Sequence, residues 1–348
     1  MRNSLIKNGF ILIMLCAFVS CIEKEETLEL PEEEFVIQDG DVEVLFENQP
    51  EYGINIMIMG EGFIREDVES GLYRQSLSSD IERFFGIYPM SYYKQHFNVY
   101  LIYAISEDEG VSVKGEEDKE TALSVTFDPE NSPPQPRYIW SRYKVRRYAK
   151  TGILKSKFNH VSFVSMKNPE GLPLGGVANV SRGYEAQALY NSGRIGTMAH
   201  EFGHAFAYLA DEYTVEDQDQ FTEEDRKRYR ERSVLRPNID SLPVLDSIKW
   251  KKYFDIPSYE EVGVFEGASL LEEGMWRPEE SSIMGNGGPF NAPSREAIAF
   301  RIATLARFYF DFDEYIGIDR VQKNQGNRSL FETPNFNCGG LYFESESP

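Results

Sequence analysis

Cysteine is scarce in this chain of 348 residues: there are three, Cys16, Cys21 and Cys338. So small a number cannot frame a disulfide-rich scaffold, and the fold has to rest on its apolar core. Basic side chains are outnumbered, 36 against 57 acidic ones, for a net charge of −21. That balance argues against nucleic acid and against anionic lipid surfaces as partners. Long apolar runs are missing too. Residues 10–19 are apolar throughout, yet a membrane-spanning helix needs about 20 such residues. No internal repeat and no long low-complexity tract is present. Histidine is rare, at four residues, and two of the four fall within one five-residue motif.

The N-terminus comes first. Arg2 and Lys7 precede a short apolar stretch that ends in Phe18-Val19-Ser20-Cys21. A charged start, a short hydrophobic segment and small residues ahead of a cysteine read as a cleaved export signal. The pattern is similar to a bacterial lipoprotein signal, with Cys21 becoming the lipidated first residue. Cys16 would leave with the signal, Cys338 would be the last free thiol, and no intrachain disulfide could form. The expected location is the bacterial cell envelope, at the outer membrane or cell surface, held there by lipid alone; without the lipid the protein would be secreted. Residues 22–50 are acidic and read as a tether, with residues 42–46 as one short strand.

The body reads as alternating strands and helices. Residues 54–59 and 97–105 carry buried-strand patterns, and a helix bearing Val68, Leu72, Ile81, Phe84 and Phe85 lies between them. Residues 137–149 suggest a helix with a basic face, and residues 160–166 a third strand. Residues 173–182 read as loop then strand, either an edge on which an extended peptide pairs or an ordinary strand. A charged helix-like segment reaching Arg232 reads as a solvated face. A helix over residues 291–310 with Ile298, Ile302, Leu305 and Tyr309 closes the fold, and the tail from Asp319 is peripheral.

The five-residue motif is His200-Glu201-Phe202-Gly203-His204. Imidazoles at i and i+4 project from one helical face and can grip one metal ion. Zinc suits two neutral imidazoles, and Glu201 is placed to take a proton from a water. Ile195, Met198, Ala199, Phe202, Phe206 and Leu209 form an apolar stripe that buries the helix, and Asn191-Ser192-Gly193 supplies its start. A catalytic zinc takes three protein ligands. Asp211 and Glu212 follow the motif, whereas His96 and His160 are remote. On an unbroken helix Asp211 would lie ~16 Å along the axis from His200 and ~10 Å from His204. For Asp211 to reach the metal, the helix must therefore end soon after His204. No glycine marks that turn, so it would put another residue at positive φ, costing about 1–3 kcal/mol. The alternatives are a helix running on to Leu209 with the third ligand elsewhere, and Glu212 as the ligand. Downstream, Met284 sits in a Gly-rich turn, Ser282-Ile283-Met284-Gly285, suited to place a thioether under a metal.

With those residues in view, the chain resembles the IgA-specific metalloendopeptidase family, a Met-turn branch of the zincins. The likeness rests on HEFGH followed by Leu209-Ala210-Asp211-Glu212-Tyr213, on Trp276-Arg277-Pro278 ahead of Ser282-Ile283-Met284, and on Gly60-Glu61-Gly62-Phe63. It implies an α+β zincin (metzincin-like) domain over residues 51–318, with a mixed sheet, an active-site helix and a C-terminal helical part. Residues 1–21 would be signal, 22–50 tether and 319–348 a peripheral tail. It also implies an endopeptidase with one zinc ion on His200, His204 and Asp211, with Glu201 as base and Met284 in the Met-turn; a monomer is expected. The partner would be a protein or peptide substrate, with no nucleic acid and no membrane contact beyond the lipid on Cys21. The alternative is a catalytically inactive, surface-anchored binding protein with a zincin fold. Glu201, retained between the two histidines, separates the two readings.

Overall fold

The computed structural model describes residues 36–131, 137–157, 160–167, 172, 175–180 and 185–323. The signal region, including Cys21, lies outside the described residues, as does the tail beyond 323. Among the described residues no helix is long and apolar enough to cross a membrane.

The architecture is mixed α/β. A six-stranded sheet is built from β1 (Val42–Glu47), β2 (Ile54–Glu61), β3 (Phe97–Ile102) and, after a small three-stranded sheet of β4 (Ser112–Val113), β5 (Thr126–Phe127) and β6 (Tyr138–Ile139), from β7 (His160–Met166), β8 (Gly176–Val180) and β9 (Glu185–Asn191). Its order is β1-β3-β2-β7-β9-β8. The four central strands run parallel, and both edge strands, β1 and β8, are antiparallel to their neighbours. Parallel strands covered on both faces need apolar residues throughout, which is why residues 54–59 form a nearly unbroken apolar run. All of β2 and β3 is buried.

Strand alternation sends successive residues to opposite layers. Ile54, Ile56 and Ile58 join a core shared with α2 (Leu72–Phe84), which follows the short α1 (Arg65–Glu69). Past α3 (Met90–Tyr93), Met57 and Met59 face the other way, into a second core with Val145 and Tyr148 of α4 (Arg142–Tyr148). The first core is completed by α5 (Ile195–Ala207), which carries the histidine motif. The solvent-facing α6 (Glu223–Ser233) and the hairpin β10 (Phe265–Ala268) and β11 (Leu271–Arg277) follow, then α7 (Ala292–Ala306) and α8 (Phe312–Gln322). Phe202 anchors α5: its ring stacks on Phe206 at 4.6 Å and meets Phe84 edge-on at 5.0 Å. Truncating so buried an aromatic costs about 3–5 kcal/mol.

Several boundaries differ from those read in the sequence. The short strand expected at residues 42–46 is β1, and its pairing with β3 puts the start of the folded body before residue 51, inside the stretch read as tether. The helix expected over 137–149 begins only at Arg142, because Tyr138 pairs with Phe127 in a short ladder and packs against its ring at 5.2 Å. Ser141 then caps α4, accepting from the backbone N–H of Lys144. The helix expected to reach 310 stops at Ala306, where Arg307 turns left-handed, and Tyr309 lies exposed beyond it. Asp319, assigned to a peripheral tail, is fully buried in α8 and forms a two-pronged ion pair with Arg295 of α7.

Candidate metal centre

The start of α5 is set from a distance. Its N-cap, Arg194, makes no side-chain cap bond. Gly193, at φ +78°, instead donates its N–H to the buried Asp80 carboxylate at 3.1 Å, and Asp80 also accepts from Tyr190 at 3.0 Å. At the other end the helix stops at Ala207, and Tyr208 takes φ 58°, ψ 28°. A tyrosine in that region costs about 1–3 kcal/mol. The turn is held against that cost by Leu209, buried with its N–H on Gly203 O at 3.1 Å, and by Arg236, which donates to Tyr208 O at 2.9 Å. Asn238 clamps the next residue from both sides, accepting from Ala210 N–H and donating to Ala210 O, each at 2.8 Å.

This reversal brings Asp211 back to the histidines. Its Oδ1 lies 3.1 Å from Nε2 of His200 and 3.1 Å from Nε2 of His204, and the two Nε2 atoms are 2.9 Å apart. All three side chains are buried. The other ring nitrogens are spoken for: Nδ1 of His200 faces Ile283 O at 2.8 Å, and Nδ1 of His204 faces Leu209 O at 2.7 Å. A carbonyl can only accept, so each Nδ1 carries the proton and each Nε2 presents a lone pair. Two bare nitrogens and a carboxylate oxygen thus converge within about 3 Å, an arrangement that repels itself unless a cation sits among them. Two imidazoles and a carboxylate are a donor set that suits zinc. Among the described residues, this is the one group of His, Cys, Asp and Glu side chains so arranged.

Charge follows the same geometry. Burial would raise the Asp211 carboxyl, but His204 and His200 outweigh it and hold the group below the ordinary carboxylate range. Burial keeps His204 low, toward the neutral ring a metal ligand needs. Glu201 is pushed well above the usual glutamate range by burial, with His200 pulling it back and Asp211 adding to the rise. Neither Glu201 oxygen has a hydrogen-bond partner among the described residues. Gly176 of β8 packs directly against it: a Cβ there would fall 2.7 Å from both Cγ and Oε1 of Glu201.

Glu212 points the other way. It accepts from Ser282 Oγ at 2.6 Å, from Asn238 Nδ2 at 2.6 Å and from Asn291 Nδ2 at 2.6 and 2.7 Å. Burial lifts it to about 7 while those three donors pull it down. Its N–H bonds Met284 O at 2.6 Å. Met284 lies beneath the motif, with Sδ 2.7 Å from where a side chain on Gly203 would begin. The two remaining histidines stand apart: His96 stacks on Phe308 at 4.7 Å, and His160 begins β7.

Several contributors carried no local signal in the sequence. The carbonyls of Ile283 and Leu209 orient the imidazoles, Asn238 holds the turn, Asp80 fixes the start of α5, and Gly176 gives Glu201 room. Ser282 and Asn291 stood inside stretches already singled out, but nothing in the sequence tied them to Glu212.

A family model described as IgA Peptidase M64 matches residues 43–258, more than half of the chain, and takes in β8, the motif and Asp211. No curated protein matches the chain.

Proposed function

The chain belongs to the IgA Peptidase M64 family, and from that premise we propose that it is a zinc-dependent endopeptidase of zincin type acting on extracellular proteins. The observation that carries the proposal is the convergence of His200 Nε2, His204 Nε2 and Asp211 Oδ1, each imidazole fixed by a carbonyl, beside an unpaired Glu201. His200, His204 and Asp211 would hold the ion. Zinc in such a site supplies Lewis acidity and makes a water acidic enough to lose its proton near neutral pH. Glu201, whose oxygens accept no other hydrogen bond among the described residues, would take that proton as the water oxygen bonds to the peptide carbonyl carbon, and would deliver it to the amine nitrogen as the C–N bond breaks. β8 ends the sheet, and its outer edge suits an extended peptide pairing strand to strand, with Gly176 setting the backbone against Glu201. Glu212, Ser282 and Asn291 tie Met284 to the segment that carries Asp211. IgA itself does not follow as the substrate, because nothing in the site selects for it.

Purified protein should carry one zinc and cleave members of a broad peptide library, and a chelator should stop the cleavage. Protein that retains no zinc from a zinc-supplemented preparation would overturn the reading. We place the protein at a bacterial envelope through lipid on Cys21, with the acidic stretch as spacer. Labelled fatty acid should then enter the wild type and not Cys21→Ser; equal labelling would return the reading to a secreted enzyme.

A further inference from the structure

A cavity of about 480 Å³ opens where α5 ends, between Tyr208, the 234–237 segment, residues 249–253 and the outer face of α7. None of the residues assigned to metal or proton transfer lines it. Its walls carry Arg236, Lys249, Lys252 and Arg301 against a single carboxylate, Glu296. In a chain of net charge −21, that is a local inversion of sign.

The cations are not equivalent. Lys252 pairs with Glu296, which also accepts from Tyr253 OH at 2.9 Å, so that carboxylate is spent. Lys249 is turned into the backbone, with Nζ donating to Arg236 O at 2.9 Å and Ile239 O at 2.7 Å. Arg301 is left over. Its guanidinium lies 5.6 Å above the Tyr208 ring, and its buried Nε has no acceptor among the described residues. An unmet buried donor is costly, more so on a charged group, and a guanidinium matches a planar oxyanion. The remaining wall is apolar, with Leu235, Pro237, Ala297 and Phe300 facing the same space.

We propose that this cavity binds a small amphipathic anion, a carboxylate on an aromatic or aliphatic body. Arg301 donates to the carboxylate, and the apolar body lies against Pro237 and the exposed ring of Phe300. The volume falls within the range of roughly 300–1,000 Å³ usual for small-molecule sites. Such a ligand would rest on Tyr208, the residue at which the chain leaves α5 to reach Asp211. The site is thus placed to sense or tune the metal-holding turn. The proposal does not rest on the peptidase reading, because none of its contacts involves the metal group.

Calorimetric titration of the full chain with 4-phenylbutyrate, 4-phenylbutyramide and acetate tests it. The acid should bind, with the neutral amide and the bodiless acetate each about tenfold weaker or worse. Arg301→Gln should lose about tenfold for the acid alone. Ala297→Phe, which fills the cavity without changing charge, should abolish binding and decides the matter if Arg301→Gln does not fold. Glu201→Gln should bind like the wild type, which separates this outcome from any failure of the catalytic reading. No binding to wild type, equal affinity for acid and amide, or wild-type affinity in Ala297→Phe would overturn the proposal.

Discussion

Glu201 and Glu212 are both buried glutamates flanking the same cluster, and the fold treats them in opposite ways. Glu212 meets three side-chain donors from three distant segments. Glu201 meets none. Burial raises the proton affinity of both, but at Glu212 the donors oppose the rise and at Glu201 only His200 does. A carboxylate with all its acceptors filled is part of the frame. One with its acceptors free beside a group that could hold a metal ion is placed to move a proton. The contrast sorts the acidic residues around the motif by what each oxygen touches, which their place in the sequence cannot do.

The largest effect should come from the free carboxylate. Glu201→Gln should lower kcat by about 10²–10⁴-fold, the range for losing a general base, while keeping zinc at wild-type stoichiometry. Near-normal turnover in that variant would break the comparison. Next is Gly176→Ala, whose methyl would collide with Glu201. A displacement of about 1 Å can cost ~10²-fold in rate, so kcat should fall on that scale with zinc content unchanged. Unchanged kcat would show that the position of Glu201 is not set by β8.

The filled carboxylate should show itself in stability. Glu212→Gln puts an amide NH₂ against donors, at a cost of about 1–3 kcal/mol. The cost should depend on pH. The folded-state value of Glu212, about 7, lies above the ordinary 4.5. Its stabilising contribution is therefore complete below about pH 4.5 and lost as pH rises through about 7. Urea unfolding at fixed zinc concentration should show the gap between wild type and Glu212→Gln narrowing from pH 5 to pH 8. A gap that widens would reverse the assignment.

Much of the site was legible because helical spacing is a strong constraint. The i, i+4 histidines and the apolar stripe place both imidazoles on one edge of a buried helix, and the axial rise alone requires that helix to break before Asp211 can approach them. Where the break falls was not legible. Tyr208 has no intrinsic preference for positive φ; its conformation is held by Arg236 and Leu209, and by Asn238 acting on Ala210, contacts between residues that share no periodicity. The strands followed the same logic. Continuous apolar runs gave β2 and β3, whereas the two-residue β6 was hidden in a helix-like stretch because its pairing with Thr126 and Phe127 is decided by packing.

The central claim is that Asp211 holds the ion and Glu212 does not. Zinc content of Asp211→Ala and Glu212→Gln, dialysed side by side against a weak competing chelator, tests it most directly. Asp211→Ala should lose zinc by far more than the ~10–100-fold in affinity that an outer partner contributes, and Glu212→Gln should retain one ion per chain. Tight zinc in Asp211→Ala, or loss of zinc in a folded Glu212→Gln, would contradict the account.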